Sequence, residues 1–262
     1  MFGKRHCGAL IVAVFAVLAS AVSHAGERPK NLIVMIADGT GSQQYAFARW
    51  WKSEPLNIEK YQTGTLRTFS ASSVTTDSAA AATAFATGVR TSAEVIGIGP
   101  AGQKLLPGAA PYDNVEGHPL ATILEGAKLL GKATGIVATS RFSHATPAAY
   151  FSHAAHRDDE NDIAEMGVYA GIDVVLAGGL RHLLPRVQKG VRNDDEDLTQ
   201  VLRDRGYALA LTAGEMRSAT SGRLWGGFAS SHMEPDLSSC CRITIPAASP
   251  SATGAPISAT RL

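Results

Sequence analysis

Three uninterrupted apolar runs, each closing on a polar or glycine-rich turn, constrain this 262-residue chain more than any other feature. Residues 31–37 (NLIVMIA) end at Asp38-Gly39-Thr40-Gly41. Residues 134–139 (TGIVAT) lead to Arg141-Phe142-Ser143-His144, and residues 172–177 (IDVVLA) end at Gly178-Gly179. A short run without polar alternation reads as a strand covered on both faces, the usual state of strands in parallel sheets. Residues 119–131 carry Leu120, Ile123, Leu124, Ala127 and Leu130 along one helical face and precede the second run. Helix alternating with buried strand predicts an α/β fold with a mostly parallel sheet. Residues 43–52 suggest a helix in which Trp50 and Trp51 serve packing, and residues 61–70 a strand. Residues 197–205 suggest an amphipathic helix, and residues 207–211 and 225–231 two more strands. Residues 95–111, rich in glycine and proline, read as a surface excursion.

Residues 75–88 (TTDSAAAATAFATG) form a turn feeding a helix, since alanine is the best helix former, Asp77 suits the N-cap and Gly88 the stop. Ser78 then lies in the first turn, where unpaired N–H groups and the helix dipole favour an anion. A buried alanine-rich helix with a plain Asp cap explains the same stretch without chemistry. Asp38, after the first run, stands where open α/β sheets place ligands, and a carboxylate there can hold a cation. Its alternative is a helix N-cap. His144, Thr146 and Arg157 follow the second run. Imidazole and hydroxyl can join a metal shell directly or through water, and a guanidinium offers a fork to two phosphate oxygens. Taken singly they also read as a cap, a helix start before Pro147, and a solvated charge.

The first residues resemble an export signal, with Lys4, Arg5 and His6 before an apolar stretch over residues 8–22 and Ser23-His24-Ala25 at the cleavage position. Cleavage after Ala25 predicts a periplasmic or secreted chain with no membrane contact thereafter; an uncleaved anchor is the alternative. A net charge of +1 gives no electrostatic reason to expect nucleic acid or an anionic membrane as partner. Cys7, Cys240 and Cys241 offer no disulfide framework. Residues 238–262 lack acidic side chains, are rich in Ser, Thr, Ala and Pro, and read as a disordered tail.

Together, D-G-T-G after the first run, V-T-T-D-S-A-A-A-A-T-A-F-A-T-G, and H-A-T-P-A with Arg157 resemble the alkaline phosphatase family from residue 31 to about residue 237. The resemblance implies a three-layer α/β sandwich with a mostly parallel central sheet, incomplete at its C-terminus, over residues 26–237. It also implies hydrolysis of small phosphomonoesters through a phosphoserine at two zinc ions and one magnesium ion. Ser78 is then the nucleophile and a zinc ligand, and Arg157 grips phosphate. Asp38 bridges zinc and magnesium, Thr146 is a magnesium ligand, and His144 touches the third metal directly or through water. Full-length members are often dimers. The family's further ligands (a Glu, an Asp with a His, an Asp-His pair and a last His) do not follow Leu237, so the tail reads as out of frame. The expectation for this chain is therefore little or no turnover, with a non-catalytic phosphate- or metal-binding fragment as the alternative.

Overall fold

The computed structural model describes residues 29–100, 116–219 and 222–234. The export signal, the tail and the three cysteines lie outside the described residues. The chain divides into two compact units, Met1–Glu59 and Lys60–Leu262.

Among the described residues of the first unit, the α-helix α1 (Ser42–Lys52) starts where the Gly41 N–H donates to Gln44 Oε1 at 2.9 Å. It ends at Ser53 in the left-handed region, φ 57°. None of its residues is buried. The two tryptophans, expected to pack, are exposed, and both rings lean on Phe47 at the helix surface with centroids 5.9 and 6.3 Å away. Residues 31–37 also depart from expectation. They are extended but join no ladder, and Leu32, Ile33, Val34, Met35 and Ile36 are all exposed. Apolarity makes a strand only when a neighbouring strand accepts its backbone hydrogen bonds. The described part of this unit contains none.

The second unit carries a sheet of four parallel strands in the order β1-β2-β4-β3: β1 (Gly135–Arg141), β2 (Val174–Gly178), β3 (Tyr207–Ala210) and β4 (Arg223–Gly227). Helices α2 (Ser78–Thr87), α3 (Ile123–Leu129), α4 (Ala145–Ala148), α5 (Glu160–Tyr169), α6 (Leu198–Asp204) and α7 (Ala213–Ser218) flank or connect the strands. Side-chain caps set several of the helix starts. Asp77 caps α2, Thr122 and Thr212 form capping boxes with Glu125 and Glu215, and Asp197 caps α6. Gly88 ends α2 at φ 77°, a conformation costly to any residue with a Cβ.

The core gathers Phe142, Ile163, Val168, Ile172, Val175, Leu183, Leu198, Leu202 and Trp225. Burial of side chains this size contributes about 1.5–3 kcal/mol each. Ala79, Ala82 and Ala86 of α2 join the same core as Ala145, Ala148 and Ala149 at α4, and the two helices pack together. Small side chains permit that close approach, so the alanine-rich sequence serves packing as well as helix propensity.

Other expectations shift. Residues 61–70 form no strand. Ile96, placed in a surface excursion, is fully buried and exchanges backbone hydrogen bonds with Ala154 at 3.0 and 2.9 Å; residues 101–115 of that segment and its flank lie outside the description. The helix read over residues 119–131 is shorter, with Leu124 buried and Leu130 exposed. β1 is an edge strand with one covered face, which is why Val137 is exposed and Ile136 buried.

Candidate active site

Asp77 builds the tip of α2. Its carboxylate accepts from the N–H groups of Ala79 (3.1 Å) and Ala80 (3.4 Å), and also from Glu94 N–H at 3.2 Å. Ser78 is the first helical residue and is partly exposed.

A second chain segment is aimed at this tip by the end of β1. Phe142 is driven into the core, edge-on to Trp225 with ring centroids 5.0 Å apart, and its N–H donates to Gly178 O at 3.1 Å. That anchor turns Arg141 and His144, on either side of it, toward polar partners. His144 then precedes α4, in which Thr146 is followed by Pro147; proline is tolerated in a first turn because its missing N–H would lack a helical partner anyway. Arg157 arrives on a third segment, tethered by its N–H to Glu94 O at 2.8 Å. Its Nη1 donates to Asp77 Oδ2 at 3.3 Å, and its Nη2 lies 3.2 Å from His144 Nε2.

Three of the residues singled out in the sequence thus converge: the helix tip bearing Ser78 is joined through its cap to Arg157, and Arg157 to His144. Thr146 sits on the helix packed against α2. Asp38 belongs to the first unit, in a turn where Thr40 N–H donates to Ala37 O at 3.1 Å.

Arginine has only donors, so His144 Nε2 must accept, which leaves the proton on Nδ1. That Nδ1 is buried and, among the described residues, has no hydrogen-bond partner. Burial, then the positive charges of Arg157 and Arg141 and the neighbouring His232, hold His144 below the usual imidazole range, so it is neutral near pH 7.

Sequence reasoning missed the support around these residues. Glu160 accepts two hydrogen bonds from Arg141 and one from Ser143, while Arg141 also reaches Ser231 and His232. Burial alone would raise Glu160, but the hydrogen bonds from Arg141 and Ser143 outweigh it and bring its carboxyl below the ordinary value. Ser231 and His232 lie some ninety residues beyond Arg141 in the chain, so no local spacing could reveal the contact.

A family profile described as alkaline phosphatase matches residues 29–244. The chain belongs to the alkaline phosphatase family. It is 34% identical over 228 residues to the alkaline phosphatase of Schizosaccharomyces pombe, covering 80% of this chain and 40% of that protein. It is also similar to the solved alkaline phosphatase of the Antarctic bacterium TAB5, with 29% identity, a TM-score of 0.66, and coverage of 79% of this chain and 55% of that one. Variants of the same Antarctic enzyme, similar at 27% identity and TM-score 0.64 over 79% of this chain and 54% of theirs, hold magnesium in their M3 site. The parallel sheet with flanking helices matches the three-layer sandwich of these alkaline phosphatases. The chain spans about two fifths of the length of the curated relatives it matches.

For an alkaline phosphatase the metal question is then specific. Among the described residues, one group of His, Cys, Asp or Glu ligand atoms comes within reach of a common ion: Glu165, Asp194 and Glu196. It contains none of the expected ligands, and the buried Arg192 guanidinium already sits among its carboxylates. Catalytic zinc takes at least three protein ligands from His, Cys, Asp or Glu. The ligands expected in the second unit are one imidazole, His144, and the hydroxyls of Ser78 and Thr146. Among the described residues no group of three His, Cys, Asp or Glu ligand atoms forms around them, although His232 stands edge-on to His144, so no two-zinc centre is assembled there. A hydroxyl-rich set suits magnesium better, because that ion keeps several waters.

Proposed function

We propose that this chain carries the phosphate-gripping end of a phosphomonoester hydrolase, with Ser78 as the phosphoryl acceptor. The observation that carries the reading is the union of the α2 tip, bearing Ser78, with the Arg157 guanidinium through Asp77. Two non-bridging phosphate oxygens would take the Arg157 fork, and the helix tip would favour the remaining charge. Asp77 and His144 hold the guanidinium from two sides beforehand, which lowers the entropy lost on binding. Ser78 Oγ then attacks phosphorus in line with the ester oxygen. The Oγ–P bond forms as the P–O ester bond breaks, the hydroxyl proton leaves to solvent, and the departing alkoxide takes a proton from water. Attack of water on the phosphoserine releases inorganic phosphate and restores the hydroxyl.

Metal ligation is proposed for Asp38 in the first unit and for Ser78, His144 and Thr146 in the second, following the family's two zinc ions and one magnesium ion. The magnesium carried by the Antarctic relative's variants supports that part of the reading. Ions held there would supply hydroxyl activation and neutralisation of leaving-group charge. We further propose export to a periplasm or beyond. Among the described residues no helix is long and apolar enough to cross a membrane.

The test is hydrolysis of a chromogenic phosphomonoester by the full chain with zinc and magnesium. Weak turnover that disappears in Ser78→Ala, with a phosphoryl adduct on Ser78 after acid quenching, supports the reading. Turnover unchanged in Ser78→Ala contradicts it. Because no zinc-type group of three ligand atoms forms around His144 among the described residues, a second reading is also carried, in which phosphate is bound but no ester is cleaved. Its signature is phosphate binding that depends on Arg157 without turnover.

A further inference from the structure

Glu160 opens α5 with its side chain only 12% exposed. Its Oε2 accepts from Arg141 Nε at 2.7 Å and its Oε1 from Arg141 Nη2 at 2.6 Å, a two-pronged pairing of carboxylate with guanidinium. Oε2 also accepts from Ser143 Oγ at 2.6 Å, and His182 Nε2 lies 3.3 Å away. A carboxylate this far from water is costly unless its lone pairs are satisfied, and here they are.

The other end of Arg141 faces the candidate site. Its Nη1 lies 3.3 Å from Ser231 Oγ and 2.6 Å from His232 Nε2. His232 stands edge-on to His144, ring centroids 5.3 Å apart. Residues 229–233 cross the ends of β1 and β2, where Gly179 N–H donates to Ser231 O at 2.8 Å and Met233 N–H to Thr139 O at 2.9 Å. Contacts therefore run without a break from Glu160 to Arg157: hydrogen bonds through Arg141 to His232, an edge-on ring contact from His232 to His144, and a hydrogen bond from Arg157 to His144. A shorter one runs from Glu160 through Ser143 to the turn that carries His144.

We propose that Glu160 is a positioning residue for phosphate binding, fixing His232 against His144 through Arg141 and the His144 turn through Ser143. This rests on the reading of Arg157 as the phosphate ligand. Because Arg141 can only donate, His232 accepts on Nε2 and carries its proton on Nδ1, which gives the arrangement a spectroscopic signature. A glutamine at position 160 would present an NH2 group where the carboxylate accepts, and Arg141 would lose its two-pronged hold.

The experiment combines long-range proton–nitrogen spectra of ring-labelled histidines with inorganic phosphate titration, on the full chain and on Glu160→Gln, Ser143→Ala and Arg157→Ala. In the unsubstituted chain His232 is the Nδ1–H tautomer. In Glu160→Gln it shifts toward Nε2–H, and the phosphate Kd rises about tenfold, equivalent to about 1.4 kcal/mol. Ser143→Ala keeps the His232 tautomer and raises Kd by a smaller factor, about threefold, as expected for one hydrogen bond. A folded Glu160→Gln with unchanged tautomer and Kd overturns the proposal. If Glu160→Gln does not fold, an unchanged Kd in Ser143→Ala overturns it. In both cases Arg157→Ala still weakens binding, so the reading of Arg157 survives. If Arg157→Ala binds as the unsubstituted chain does, or neither binds, that reading fails and the positioning role fails with it.

Discussion

At the tip of α2 the Asp77 carboxylate accepts from Ala79, Ala80 and Glu94 N–H groups and from Arg157. It is at once a helix cap and the anchor of a guanidinium. Removing it as Asp77→Ala is expected to lower stability by about 1–2 kcal/mol in urea denaturation, the usual range for a lost N-cap. A loss below a few tenths of a kcal/mol would mean the cap is redundant. Asp77 and Ser78 were legible in the sequence, because capping, alanine propensity and the terminal Gly88 are all local. The partners of Arg157 were not. Asp77 lies eighty positions away in the chain, and an H-R-D-D-E run looks like solvated charge until the fold brings Asp77 and His144 to it.

At the scale of elements, β2 and the segment crossing it depend on a missing side chain. A Cβ on Gly178 would stand 2.1 Å from Ser231 O, a backbone atom that cannot swing aside. Gly178→Ala should push residues 229–233 off the strand ends, costing about 2–3 kcal/mol by the overpacking rule. It should also remove the Nδ1–H signature of His232. Wild-type stability with an unaltered His232 spectrum would show that the crossing is not held there. Runs 134–139 and 172–177 announced β1 and β2 within a few residues, because apolar content and flanking glycines coincide with real pairing partners. Run 31–37 looked the same in sequence yet forms no ladder. A hydrophobic pattern reports which face wants cover, not whether a neighbour is at hand.

For the molecule as a whole, pH is the sharpest probe of the buried polar layer beneath the site. His182 is buried, its Nδ1–H donating to Asn161 Oδ1 at 2.9 Å and its Nε2 accepting from Arg181 Nε at 3.1 Å. Burial is the main cause of its pKa falling to about 4; Glu160 opposes the fall, and Arg181, Arg141 and Arg192 deepen it. The folded value lies below the unfolded one, so the unfolded chain binds the extra proton first. The stability is present above about pH 6.5 and is lost as pH falls toward 4. Between pH 7 and pH 5 this one group should cost about 2 kcal/mol, measured by urea denaturation at both values. His182→Asn should flatten that slope, whereas an equal slope in the variant would assign it elsewhere. The family's fold was readable at this scale, since alternating helix and buried strand survive whatever happens to individual ligands. The sequence also foretold a shortage of zinc ligands, since the further Glu, Asp and His expected from the resemblance do not follow Leu237, and among the described residues no group of three such ligand atoms forms around His144.

Everything in the functional account leads back to whether the α2 tip and Arg157 hold phosphate. Calorimetric titration of the full chain with inorganic phosphate, beside Arg157→Ala, tests this most directly. The account predicts saturable one-site binding that weakens at least tenfold, about 1.4 kcal/mol, when the guanidinium is removed. Equal affinity in the two proteins, or no binding by either, would contradict it.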